Sequence, residues 1–377
     1  MQRVTQPPRH KRRGRTLQAI LSGLLLLLGQ TLAETAPLQV AVISDLNGSY
    51  GSTDYASSVS AAVARIIELR PDLVISTGDM VAGQRRPHLR RPQVERMWQA
   101  FHAEVSEPLA TAGIPLAVTP GNHDGSAYRG FAEERAIYAE QWGKRAPDVE
   151  FLDRQGYPFH YAFAVGDTLF ASLDATTVGH LPAAQMDWLR QVLARHGSDY
   201  RRRVVFSHVP LWPFAQGRER EYIGDPALQD LLASADVDLF LSGHHHAFYP
   251  GSKDGIALVG QACLGAGPRR LLGSRLKSPK GFTLVRLDAD AVRITAYQGP
   301  TFATAIDWRS LPPHLHSDAA ELQRADLAGT ALPGHVTEST VMPGGKQLVG
   351  QQTLRTNAHG RPLTVSGALP ARAGFAR

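Results

Sequence analysis

The apolar positions of this chain gather in short runs, and several of these runs stop at residues able to bind a metal. Val40 to Ser44 precede Asp45 and Asn47, Leu73 to Thr77 precede Gly78 and Asp79, and Pro115 to Thr119 precede Gly121, Asn122, His123 and Asp124. Further on, Val204 to Ser207 end in His208, and Val237 to Leu241 lead into Gly243, His244, His245 and His246. Runs of this length read as buried strands, which puts the polar residues on loops at strand ends.

Between the strands the period changes. Val59, Val63, Ile66 and Ile67 line one face of a helix, with Asp54 as its expected cap and Pro71 as its stop. From Pro92 to Ala112 the large apolar residues Met97, Phe101, Val105 and Leu109 stand four apart; from Pro182 to Ala194, Met186, Leu189 and Leu193 align after a strand at Leu169 to Leu173. Leu258 to Gly260, Phe282 to Leu287 and Val292 to Tyr297 are expected as further strands completing a second sheet. Strands alternating with helices favour an α/β layered fold over an all-β one. Beyond Leu311 the period is lost amid Pro312, Pro313 and scattered glycines, so residues 312–377 are expected as an extended or disordered tail with a short hairpin at its end.

A chain of 377 residues, 43% apolar, supports one large core, expected here as a main domain over residues 34–311. Ahead of it, Arg3, Arg9, Lys11, Arg12, Arg13 and Arg15 come without an acid, followed by an apolar run from Ala19 to Leu28 and by Thr31, Leu32 and Ala33. This is the layout of a secretory signal peptide, expected over residues 1–33. The apolar run falls short of the ~20 residues that span a bilayer. The mature chain is therefore expected to lack a transmembrane helix and to be periplasmic or secreted, an uncleaved tether being the second reading. Removing those six basic residues from the 40 Lys and Arg leaves 34, equal to the 34 Asp and Glu. The formal charge of +6 thus resides in the leader, and the mature chain has no basic excess to mark nucleic acid as a partner. The single cysteine, Cys263, sits among small and apolar residues and reads as a buried structural thiol.

Taken singly, Asp79, Asn122 or His208 is an ordinary turn or core residue. Together, Asp45-x-Asn47, Gly78-Asp79, Gly121-Asn122-His123-Asp124, His208 and Gly243-His244-x-His246 follow one another in an order that resembles the calcineurin-like metallophosphoesterase family. That family's pattern is D-x-H, GD, GNH[DE], a lone His and GHxH. The resemblance extends between the motifs, through SLDATTVGHLPAAQMDWLRQVL and RRVVFSHVP.

The resemblance implies a two-sheet α/β sandwich flanked by helices, with the site on loops at the C-terminal ends of strands. It also implies two divalent metal ions of the Mn, Fe, Zn or Co class, ~3.5–4 Å apart. Asp79 is then the bridge, Asp45 and His246 hold the first ion with Asn47 in the place of the missing histidine, and Asn122, His208 and His244 hold the second. A water shared by two such ions is acidic enough to serve as hydroxide near neutral pH. The implied reaction is hydrolysis of a small phosphomonoester or phosphodiester, with His123 assisting the leaving group. The alternative is a catalytically impaired metal-binding module of the same fold, with Asn47 as its first sign. Purple acid phosphatases also lack the histidine, but they carry a tyrosine three residues after the GD aspartate, where this chain has Ala82.

Several neighbours stay open at this point. Asp124 either orients the His123 ring or caps a turn. His245 faces away from the ligands if its segment is extended. Arg85, Arg86, Arg90, Arg91 and Arg201 to Arg203 grip a phosphate or belong to the solvated surface, the stretch Gly83 to Pro92 starting nearest the site. Tyr128, Trp212 and Phe214 form either a pocket wall or core packing.

Overall fold

The apolar runs become strands buried on both faces. A computed structural model describes residues 37–265, 267–288, 291–328, 351–354 and 363–366; the expected signal peptide lies outside them. The strands are β1 (Leu38–Ile43), β2 (Leu73–Ser76), β3 (Leu116–Val118), β4 (Glu150–Asp153), β5 (Tyr161–Val165), β6 (Thr168–Ser172), β7 (Arg202–Ser207), β8 (Leu239–Ser242) and β9 (Tyr249–Lys253). They continue with β10 (Ile256–Gly260), β11 (Gly281–Leu287), β12 (Val292–Gln298), β13 (Thr304–Ala305), β14 (His314–His316), β15 (Glu321–Arg324), β16 (Gln351–Leu354) and β17 (Leu363–Ser366).

One sheet runs β16-β17-β12-β11-β1-β2-β3, with β13 on β12; the other runs β14-β15-β9-β10-β8-β7-β6-β5-β4. Strands β1, β2 and β3 are mutually parallel, as are β6, β7, β8 and β10. Their two inner faces pack together: Val40, Val42, Leu73 and Ile75 meet a cluster that includes Phe163, Phe170, Phe206 and Leu241. The alternate residues point outward to helices, Ala41, Ile43 and Val74 to Ser57–Leu69 and Arg91–Phe101, and Ala171, Val205 and Phe240 to Ala183–His196 and Pro226–Ser234. Both faces of each central strand are therefore apolar, which is why these runs lack alternation. The result is the two-sheet α/β sandwich flanked by helices. No helix among the described residues is long and apolar enough to cross a membrane.

Three expectations are corrected. Residues 282–287 and 292–297 do not join the second sheet; β11 returns antiparallel to β1, and β12 follows it in the first. Nor does the ordered domain end at 311, since β15 pairs with β9 and β14 with β15, extending the second sheet. These strands are too short to show a period. At the end of the chain β16 and β17 pair as a hairpin, with β17 parallel to β12. The first helix begins at Ser57 with Ala56 at its N-cap and no side-chain cap, so Asp54 does not fill that role.

The four-apart set Met97, Phe101, Val105 and Leu109 is buried throughout, and the helix carrying it contains a π turn at His102–Ser106. Four residues of α-helix advance about 40° beyond one full turn. The wider π turn takes up that excess and keeps the set on one face. His102 in this turn lies against Trp98, its rings 5.8 Å apart, with Nδ1 2.7 Å from Ser106 Oγ and Nε2 3.2 Å from Gln141 Oε1. Gln141 Oε1 can only accept, so Nε2 carries a proton, and the Ser106 hydroxyl can donate to Nδ1 of the neutral ring. Burial, with Arg145 nearby, lowers its pKa to about 4. A group with a depressed cationic pKa binds fewer protons folded than unfolded, so its contribution is present above about pH 6.5 and lost toward pH 4. Denaturation midpoints measured from pH 7 to 4 should show a loss of roughly 1–3 kcal/mol from this residue, allowing for screening, and His102→Gln should flatten that part of the acid slope. Equal slopes in both proteins would remove His102 as the cause.

Candidate metal centre

The C-terminal ends of β1, β2, β3, β7 and β8 deliver the polar residues to one place. Asp45 N donates to Gly78 O at 3.0 Å, while Leu46 N and Asn47 N donate to Asp79 O at 2.9 and 3.2 Å, locking the first two loops together. Asp124 ties in the third: its Oδ1 accepts from Gly121 N at 2.6 Å and its Oδ2 from Met80 N at 2.7 Å. Asp124 therefore staples loops rather than orienting the His123 ring, which is held instead by Nδ1 donating to Gly83 O at 3.0 Å. Gly121 admits no side chain, because a Cβ there would lie 2.2 Å from Asp79 N and Oδ1.

One ligand-type atom from each of Asp45, Asp79 and His246 falls within 4.8 Å of the others. Asp79 Oδ1 is also 3.4 Å from His208 Nε2, which in turn is 2.9 Å from Asn122 Oδ1 and 3.2 Å from His244 Nδ1. Asp79 is thus common to two groups, Asp45 with His246 on one side and Asn122, His208 and His244 on the other. Four of these residues are held with φ in the left-handed region: Asp45 at 51°, Asp79 at 56°, His244 at 64° and His246 at 50°. Each such residue costs on the order of 1 kcal/mol, strain of the kind that accumulates at functional sites.

Every nitrogen or amide donor of the group is fixed from behind. His208 Nδ1 donates to Thr77 O at 2.8 Å, His246 Nδ1 to Gly267 O at 3.0 Å, and His244 Nε2 to Glu221 Oε2 at 2.7 Å. Asn122 Nδ2 donates to Gln84 Oε1 at 2.7 Å. Their lone pairs therefore face inward, the outer-partner arrangement common to metal-binding imidazoles. Asp45 is held in the same manner by Ser44 Oγ at 2.6 Å, itself receiving a hydrogen bond from Thr77 Oγ1 at 2.7 Å. Asn47 has a backbone tie to Asp79, and its side-chain nitrogen lies 3.5 Å from Val81 O.

Burial alone would raise the pKa of both carboxylates, yet His208 and His123 hold Asp79 well below the ordinary range, and His246 and His208 hold Asp45 below it. Neither carboxylate forms an ion pair with Lys or Arg among the described residues. Imidazoles balance the two buried carboxylates here, and a mixed imidazole, carboxylate and amide donor set fits divalent transition metals, which would take over that charge.

The family description "Calcineurin-like phosphoesterase" matches residues 38–248, the stretch that supplies all of these side chains. The chain belongs to that family. Purple acid phosphatase 15 of Arabidopsis thaliana is 25% identical over 238 residues, covering 56% of this chain and 40% of that protein. A probable cyclic nucleotide phosphodiesterase of Psychrobacter arcticus is 28% identical over 128 residues, covering 34% of this chain and 39% of its own length. The chain therefore spans less than half the length of these relatives. The structure of purple acid phosphatase PPD1 from yellow lupin, Lupinus luteus, superposes with a TM-score of 0.53 at 17% identity over 70% of this chain and 52% of that one, a likeness of fold.

Within this family member, other expectations resolve residue by residue. The segment of His245 is turned rather than extended, yet the ring still leaves the group: Nε2 donates to Glu221 O at 2.8 Å and Nδ1 accepts from Phe214 N at 3.3 Å. Trp212 and Phe214 are core, whereas Tyr128 lines a cleft of about 300 Å³ beside His123, Asn122 and His244. A larger groove of about 540 Å³, lined by Ser106, Trp142 and Asp148, holds none of these residues. The arginines singled out from the sequence go elsewhere: Arg86 over Phe131, Arg91 to Glu140, Arg201 to Asp167, and Arg202 to Asp238. The arginines on the cleft are Arg218 and Arg220. Sequence reasoning missed these two, together with Glu221 and Gln84. Their one signal is position, Gln84 shortly after Asp79 and the others on the loop that leaves His208.

Proposed function

We propose that this chain is an exported, metal-dependent phosphoesterase that hydrolyses a phosphomonoester or phosphodiester of a small molecule. The observation that carries the proposal is the convergence of five donors, Asp45, His246, Asn122, His208 and His244, each anchored from behind, around the shared carboxylate of Asp79. Asp45, Asp79 and His246 would hold one divalent ion, with Asn47 beside them offering an amide oxygen; Asp79, Asn122, His208 and His244 would hold the other. When bound, the pair would supply Lewis-acid polarisation of the phosphoryl group and an acidified water. His123 has Nδ1 committed to Gly83 O and Nε2 3.9 Å from Asp79 Oδ2, so Nε2 is the atom that can pass a proton to a departing oxygen. Export rests on the layout of residues 1–33.

The test is a screen of the purified protein against mono-, di- and pyrophosphate esters, after chelation and with Mn, Fe, Zn or Co restored. Turnover that returns with metal is expected. Two bound metals with no turnover of any ester would favour the impaired module instead. Glu221 offers a second measurement, since its carboxylate is held at a pKa of about 2, chiefly by its bond to His244. Glu221→Gln should weaken the second ion ~10–100-fold by making His244 a poorer donor. Metal analysis after dialysis against buffered metal checks this, and unchanged affinity would detach Glu221 from the site.

A further inference from the structure

The cleft over the candidate metal centre is lined by two unlike sets of side chains. Tyr50 and Tyr128, 56% and 44% exposed, both line it. The Tyr50 ring lies 5.2 Å from the His123 imidazole, tilted by 52°. Large apolar side chains exposed among the described residues are few: Tyr50, Tyr128, Val178, Leu276 and Leu327, and the first three all line this one cleft. A single exposed ring needs no explanation, but a gathering beside a reactive group marks a binding surface.

Arg218 and Arg220 line the cleft as well, Arg218 near His244 through Glu221. Arg218 pairs with Glu221 through Nη1 and so braces the loop. Arg220 is exposed and has no acidic partner among the described residues. Arg269 adds a third positive charge, near enough to Arg218 and Asp45 to interact with both, and its buried Nε has no acceptor among the described residues. Glu221 on the same cleft offsets one of these charges, and the rest stands beside the place where two metal ions would hold a phosphoryl group.

We infer that the cleft is a two-part subsite for the leaving group, in which Tyr50 and Tyr128 take a planar ring and Arg218 and Arg220 take a second anionic group. It selects nucleoside phosphates whose leaving group retains a further phosphate. This inference rests on the phosphoesterase reading above. The reaction stays a hydrolysis: one P–O bond to the leaving group breaks, one P–O bond from water forms, and the departing oxygen gains a proton. Ring stacking of this kind typically changes affinity ~10–100-fold, and charge-assisted hydrogen bonds from guanidinium to phosphate add to it.

Four probes separate the two parts. The leaving group of ADP carries a ring and a phosphate, that of AMP a ring alone, that of pyrophosphate a phosphate alone, and that of glycerol phosphate neither. With Mn added, kcat/KM should rank ADP first and glycerol phosphate last. Tyr50→Ala combined with Tyr128→Ala should lower the ratio of AMP to glycerol phosphate about tenfold. Arg220→Ala should lower the ratio of ADP to AMP about tenfold. Ratios near one in the wild type, or unchanged in the variants, would overturn the subsite. If the wild type turns over none of the four, the diesters of the screen above decide the phosphoesterase reading, and calorimetric binding of ADP against glycerol phosphate decides the subsite: equal affinities overturn it.

Discussion

Asp79→Asn should lose both metals together and lower turnover by on the order of 10³-fold or more, the equivalent of several kcal/mol of transition-state stabilisation. Asp79 belongs to both halves of the site: one of its oxygens is 3.4 Å from His208 Nε2, and the same carboxylate lies in the group with Asp45 and His246. An amide at this position carries no charge, so each ion would lose half of a shared anion while the repulsion between the ions would stay unscreened. The backbone should tolerate the change, because the contacts through Asp79 O survive the substitution and the amide oxygen of asparagine can still accept from His123 N. Metal content and kcat/KM, measured on the same preparations, should therefore fall in parallel while the melting temperature of metal-free protein moves little. A variant that keeps two metals and ordinary turnover would show that Asp79 is not the bridge.

Much of this site was legible because its parts sit where a change of pattern is sharpest, at the step from a buried apolar strand to a polar loop. Asp45, Asp79, Asn122, His208 and His244 each follow such a step, and the doubly buried strands leave no doubt where it lies. What the pattern does not carry is the identity of partners. Phe282 to Leu287 reads as a strand, but nothing in its period says that it returns to β1 rather than extending the second sheet. His314–His316 and Glu321–Arg324 are too short and too polar to read as strands, and they are held by pairing to β9 and to each other. Glu221 lies in Arg218-Glu219-Arg220-Glu221, a run of alternating charge that reads as solvated loop. Only the fold, by bringing Glu221 Oε2 to 2.7 Å from His244 Nε2, gives one of its acids a partner in the candidate site.

His123→Ala should separate proton transfer from metal binding. The backbone N of His123 donates to Asp79 Oδ1 at 2.8 Å, and alanine keeps that bond, so the metal-holding geometry should persist with the imidazole gone. What is lost is Nε2, the ring atom left free once Nδ1 is committed to Gly83 O. A proton donor helps most where the departing oxygen is a strong base, and such help is typically worth ~10²–10⁴-fold. Across a series of aryl and alkyl phosphates, the variant should approach the wild type for acidic phenols and fall furthest behind for aliphatic alcohols, giving a steeper dependence of log kcat/KM on leaving-group pKa. Metal analysis on the same protein should still find two ions. An equal loss for every leaving group, with metals retained, would take the acid role from His123 and leave it stabilising the phosphoryl oxygens from beside Asp79.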